Sequence, residues 1–152
     1  MTGSKVLWHT TMSVDGLVAE RTDSGCAAGV ARRSLKPVAI CVLDPGGHVI
    51  VVKRQDGASF LRSDIAKAWT ALSLGAPSRA LAAMAESGPV FVSSMVTISE
   101  GRMAPAAAGL TVVRDGTVVG TVGVSGETPG NDEALAVEGI GAAGLAWGES
   151  AS

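Results

Sequence analysis

Six residues and one histidine mark the positions in this sequence that are best suited to chemistry. Arg54 and Asp56 flank a turn: a guanidinium there either grips a ligand carboxylate through two parallel hydrogen bonds or pairs with Asp56 to fix the turn. Lys67 and Thr70 are three positions apart in a helical pattern and so share one face. Either they meet a ligand acid and a ligand polar group, or Lys67 is solvated and Thr70 bonds back to its own helix. Ser125 and Gly126 end a β run just before a helix, where free backbone N–H groups and a hydroxyl suit an anion or other ligand. His48 follows the turn Asp44-Pro45-Gly46-Gly47 and is either a metal ligand, a proton carrier or a plain surface residue. Ser125 lacks the strand–elbow–helix spacing of a nucleophile. Met95 and Met103 read as core fillers.

The elements that position these residues follow from pattern. Val38–Leu43 and Val49–Arg54 are β-rich runs joined by a Pro/Gly turn, and Leu110–Arg114 and Val118–Val124 flank Asp115-Gly116; both read as antiparallel hairpins. Helices are expected over Cys26–Leu35, Ser63–Leu74, Ser78–Glu86 and Asp132–Leu145, with Ser63 and Ser78 as caps. Pro89–Val96 is ambiguous between a strand and a covering loop. Lys5–Ala19 reads as a short strand and loop, Glu20–Gly25 as a polar connector, and the last residues as a frayed tail. Together these make an α/β (α+β) domain, an antiparallel sheet with helices packed on it. On this reading residues 1–25 are an N-terminal extension, 26–147 the domain and 148–152 a tail.

Composition narrows the class. The chain has 152 residues, 47% hydrophobic but only 3% aromatic, so its core is built from aliphatic side chains. A net charge of −2 argues against a nucleic-acid partner, and Arg32, Arg33 and Lys36 read as a solvated face. The two cysteines, Cys26 and Cys41, read as free buried thiols, and no Cys/His spacing suggests structural zinc. No apolar run is long enough for a membrane span, and with no signal-peptide pattern the expected location is the cytoplasm.

The strings Val42-Leu43-Asp44-Pro45-Gly46-Gly47-His48 and Lys53-Arg54-Gln55-Asp56-Gly57-Ala58 resemble the GlcG/HbpS-like family. Ala66-Lys67-Ala68-Trp69-Thr70-Ala71, the block Asp115–Gly126 and Asp132-Glu133-Ala134 continue the resemblance in order, so that it covers about residues 26–145. It implies a profilin-like fold, homo-oligomers, and a ligand site near subunit boundaries. Because the family includes haem binders, it also makes haem a candidate ligand, with Arg54 toward a propionate and His48 toward the iron. The family's first helix is normally longer than the one expected here. A second, shorter resemblance, Trp8-His9-Thr10-Thr11-Met12-Ser13-Val14-Asp15-Gly16 to the opening of RibD-type, dihydrofolate-reductase-like proteins, reads as a grafted or convergent segment.

Three functions of different classes follow. The leading one is an oligomeric binding protein for haem or another flat anionic molecule, held by Arg54, Asp56, Lys67, Thr70, Ser125 and Gly126. The second is an enzyme acting on a small organic acid or a biosynthetic intermediate, with Asp56 or His48 as acid/base. The third is a non-catalytic accessory or assembly subunit. Scarce aromatics count against haem, and the lack of paired carboxylates or a nucleophile–base spacing counts against the enzyme.

Overall fold

A computed structural model describes residues 15–61 and 63–149. The expected N-terminal strand and most of the RibD-like segment lie outside the described residues. The elements run α1 (Gly16–Arg33), β1 (Ala39–Leu43), β2 (Val49–Arg54), α2 (Asp64–Leu74), α3 (Arg79–Ser87), α4 (Pro89–Ile98), β3 (Gly109–Arg114), β4 (Thr117–Ser125), α5 (Pro129–Ala142) and β5 (Ala146–Gly148).

The two expected hairpins form and join into one sheet of order β2-β1-β4-β3-β5, antiparallel throughout. At the β3–β4 turn Asp115 and Gly116 both have positive φ, 51° and 76°, the pairing that a tight hairpin turn needs. All of β1 is buried because it lies inside the sheet with a helical layer on each face. Its alternate residues part accordingly. Ile40 and Val42 pack with Val122, Val124, Leu110, Leu135 and Ile140 under α1 and α5, while Cys41 and Leu43 pack with Ala68 under α2. A third small core joins Leu81, Val92 and Met103 to Trp69 and Leu74, where α3 and α4 rest beside α2.

Three elements differ from the sequence reading. The first helix starts at Gly16, not Cys26, with the Asp15 carboxylate accepting from Val18 N at 2.8 Å as its N-cap. Thr22 and Gly25 look like turn residues, but here they are small residues at a tight helix–helix contact. A Cβ on Gly25 would press on the Ala142 side chain, and one on Gly139 would meet the Thr22 carbonyl. The expected shortening relative to the family's first helix is thereby removed. Residues Pro89–Ile98 form α4, neither the strand nor the covering loop expected, with Pro89 in its first turn, where a missing N–H costs nothing; Val92 is buried there against Leu81. The last helix ends at Ala142, and Ala146–Gly148 add a fifth strand beside β3 instead of a tail.

Ser63 and Ser78 precede their helices without a side-chain cap bond. Ser78 is used otherwise: its hydroxyl donates to Ala106 O at 2.6 Å and accepts from Gly109 N at 2.7 Å. Arg32 and Arg33 are not merely solvated, since both pair with Glu138 of α5. Cys26 and Cys41 are both buried, and no disulfide joins them.

Candidate functional site

The short connection from β2 brings α2 back onto the sheet, and its first turns lie over the end of β4. Lys67 is 4% exposed there. Its ammonium donates to Val124 O at 2.9 Å and to the Asp132 carboxylate at 3.0 Å. The other Asp132 oxygen accepts from Glu127 N at 2.9 Å, so this residue of α5 also fixes the loop after β4. Ser125 Oγ contacts Asp64 Oδ1 at 3.3 Å and accepts from Ser63 N at the same distance. A Cβ on Gly126 would crowd Pro37 O and Val38, which fixes the path of the loop.

These groups open on a pocket of about 200 Å³ that includes Ser63, Lys67, Ser125, Gly126, Glu127 and Asp132 in its lining. Three of the expected site residues, Lys67, Ser125 and Gly126, therefore do share one cavity. Among the described residues of that lining, one ammonium faces two carboxylates, Asp132 and Glu127. The Lys36 and Thr128 amides and the Asn131 side chain donate to Glu127 and hold its carboxyl below the usual range, so the lip is negative at neutral pH.

Arg54, Asp56 and Thr70 do not line this pocket. Arg54 ends the edge strand β2, exposed, and no ion pair joins it to Asp56 among the described residues. Asp56 is exposed in the turn that Ala58 N closes on Gln55 O. Thr70 is fully buried; its hydroxyl donates to Ala66 O and accepts from Ala104 N, both at 2.8 Å. It ties α2 to the segment after α4.

His48 sits at the β1–β2 turn with its side chain 82% exposed, and its Nδ1 is 3.3 Å from Asp44 Oδ2. Asp44 also accepts from the Gly46 and His48 amides, which hold its carboxyl below the ordinary value, the His48 amide most of all. Among the described residues no group of three His, Cys, Asp or Glu side chains is placed to hold a metal ion.

A second concavity, not foreseen, lies on the opposite flank of α2. It measures about 460 Å³ and is lined by Gly47, Ile65, Ala66, Trp69, Gly101 and Arg102. The Arg102 guanidinium lies 5.8 Å from the centre of the Trp69 ring, a cation–π distance. Its place is set by the end of α4: Gly101 N returns to Val96 O at 2.9 Å, and Glu100 takes the left-handed conformation at φ 57°. Trp69 also borders an apolar recess of about 290 Å³ with Leu74, Met95, Ile98 and Met103. The signals for this groove were a tryptophan in an aromatic-poor chain and an arginine just past a helix stop. Nothing in the sequence told that they meet.

The family model described as haem-degrading protein, HbpS-like, matches residues 24–141. A 15.0 kDa protein from the dhaT–dhaS intergenic region of Citrobacter freundii is 33% identical over 102 residues, covering 66% of this chain and 71% of that protein. Two crystal structures share the fold. One is the Klebsiella pneumoniae protein ORFY, with TM-score 0.81, 23% identity, and 95% of this chain and 97% of that chain covered. The other is PduOC in complex with haem, with TM-score 0.79, 20% identity, and 91% and 99% covered.

Proposed function

As the chain belongs to the HbpS-like family of haem-degrading proteins, we propose that it is a small-molecule-binding protein that takes haem or another flat, anionic ligand on the Trp69 flank of α2. The observation that carries this reading is Arg102 poised over the Trp69 ring at the edge of a 460 Å³ groove. The indole gives the groove an apolar wall for a flat body, and the guanidinium beside it receives the body's acid group. Of the five N–H donors of Arg102, one is engaged by Glu100 at 3.0 Å in an exposed pair that a ligand carboxylate can displace.

Haem fits the residues of this flank better than it fits the Lys67 pocket. That pocket's 200 Å³ falls below the roughly 300–1,000 Å³ of drug-sized ligand sites, whereas the groove falls within that range. Trp69 would carry the macrocycle and Arg102 a propionate. His48, next to the groove-lining Gly47, has an imidazole whose Nδ1 faces a carboxylate, as metal-binding histidines commonly do. Bound haem supplies a redox-active iron; the chain's own residues bind and orient it.

Homo-oligomer formation belongs to the same reading. On α4, a helix without a charged residue, Val90, Phe91 and Ile98 are 79%, 61% and 82% exposed, a combination that supports burial against another copy. Two buried cysteines not joined by a disulfide, Cys26 and Cys41, support a cytoplasmic location. Among the described residues no helix is long and apolar enough to cross a membrane.

Titrating the purified protein with haem and recording its absorption spectrum tests the reading. A saturable Soret shift that weakens in both Trp69→Ala and Arg102→Ala is expected. No shift, or one indifferent to both substitutions, would remove haem from this groove.

A further inference from the structure

The pocket at the start of α2 faces away from the Trp69 groove. Ser63 and Lys67 lie on one side of the helix and Ile65, Ala66 and Trp69 on the other, because successive residues turn by about 100°. What this pocket takes is decided by its size, its charge and its spare donors and acceptors.

Its 200 Å³ corresponds to roughly seven water volumes at ~30 Å³ each. The charge of Lys67 is already matched by Asp132 at 3.0 Å. Glu127 adds a further negative charge in the lining, and Asp64 stands behind Ser125. Among the described lining residues one ammonium faces two carboxylates, so an anion entering here meets net negative charge, and a small cation has to compete with Lys67 for its carboxylate. A neutral molecule with several hydroxyls pays neither cost. An ammonium has three N–H donors, and two of those on Lys67 are held by Val124 O and Asp132; since the group is 4% exposed and lines the cavity, the third is left to an occupant. The Asp132 and Glu127 carboxylates have lone pairs to accept ligand hydroxyls, and Ser63 and Ser125 can act either way. Leu61, 81% exposed in the lining, offers contact to a carbon backbone.

We propose that this pocket binds a small neutral polyol of about three to five carbons, a ligand distinct from the flat anion of the Trp69 groove. Pairing hydrogen-bonded carboxylate acceptors with a buried, fixed ammonium is the arrangement that recognises adjacent hydroxyls and discriminates against acids of the same size.

The test uses the full chain, ¹⁵N-labelled, titrated with glycerol and with meso-erythritol, and separately with glycerate as the acid of matching size. Expected are saturable shifts of the Ser63, Gly126 and Glu127 amides at millimolar polyol, with glycerate binding at least tenfold more weakly. Ser59→Trp, a change on the exposed rim, should abolish these shifts and leave the haem titration unaltered, which separates this site from the groove. Glu127→Gln, which keeps an acceptor at the lip but removes its charge, should bring glycerate binding toward that of glycerol. Shifts that rise linearly without saturation, glycerate binding as well as glycerol, or an unchanged response in a folded Ser59→Trp protein would each overturn the assignment.

Discussion

Gly109 and Gly123 stand directly opposite each other on β3 and β4, and the backbone of α2 rests on both. A Cβ on Gly109 would overlap the Lys67 carbonyl; one on Gly123 would overlap that of Asp64. The absence of two side chains thus sets how deeply α2 sits, and with it where Lys67 meets Val124 and Asp132. Because the obstructing atoms are backbone, relief requires the whole helix to lift. Gly123→Ala should cost about 1–3 kcal/mol and disturb the Lys67 pocket. Gly141→Ala, in open space near the end of α5, should be neutral or stabilise by about 0.4–1 kcal/mol. Urea unfolding of the two variants checks the contrast.

The Lys67–Asp132 pair gives a second test. Both side chains are nearly inaccessible, at 5% and 2% exposure. Removing one partner strands the other as an uncompensated buried charge, so Lys67→Met or Asp132→Leu should each destabilise by roughly 3–5 kcal/mol. The double variant should recover much of that loss, because no charge is then left behind. A double-mutant cycle by chemical denaturation measures the recovery; simple additivity would show that the two residues do not act as a pair.

Cys26 predicts a pH effect. Its thiol donates to Leu135 O at 3.1 Å inside the α1–α5 contact. Burial first, then the nearby Asp23 and Glu138 carboxylates, push it up to about 12 from 9.0. Between those values the unfolded chain loses this proton and the folded chain keeps it. The thiol's contribution to stability is therefore complete below about pH 9 and declines as pH rises toward 12. Cys26→Ala should flatten that decline in alkaline denaturation curves. In the native protein at pH 8, mass spectrometry after iodoacetamide should find Cys26 unmodified.

What was legible in the sequence was local. Asp115-Gly116 announced its hairpin because a tight turn needs two residues tolerant of positive φ, and the apolar run Val38–Leu43 announced a strand covered on both faces. Lys67, Ser125 and Gly126 could be placed together because a short connection forces α2 back over the sheet. The misreadings lie where packing overrules local preference. Gly25 serves helix contact, not a turn, and the apolar run left open between strand and loop is α4, its Val92 buried against Leu81. The grouping of Arg54 and Thr70 with Lys67 failed for different reasons. Arg54 sits at an exposed sheet edge, and Thr70, although close in sequence to Lys67, points to Ala104. The meeting of Trp69 with Arg102 depends on how α3 and α4 fold back beside α2, and no periodicity encodes that.

Arg102 and Glu100 supply the last prediction. If the groove takes an anion, the guanidinium contributes a charge-assisted contact, and Glu100, paired with it at 3.0 Å, competes with the ligand. Arg102→Ala should then cost about 1.5–3 kcal/mol of binding, roughly 10- to 150-fold in affinity. Glu100→Gln should act in the opposite direction and tighten binding modestly, because the exposed pair it removes is worth at most about 1 kcal/mol. Added salt should weaken binding to the parent protein more than to Arg102→Ala, since only the former relies on the ion pair. Trp69→Phe should retain more affinity than Trp69→Ala, because a ring still covers the ligand face. Haem titrations followed by absorption at two ionic strengths distinguish these outcomes. Tighter binding in Glu100→Gln together with weaker binding in Arg102→Ala places the ligand's acid group on Arg102; equal affinities in all variants would place it elsewhere.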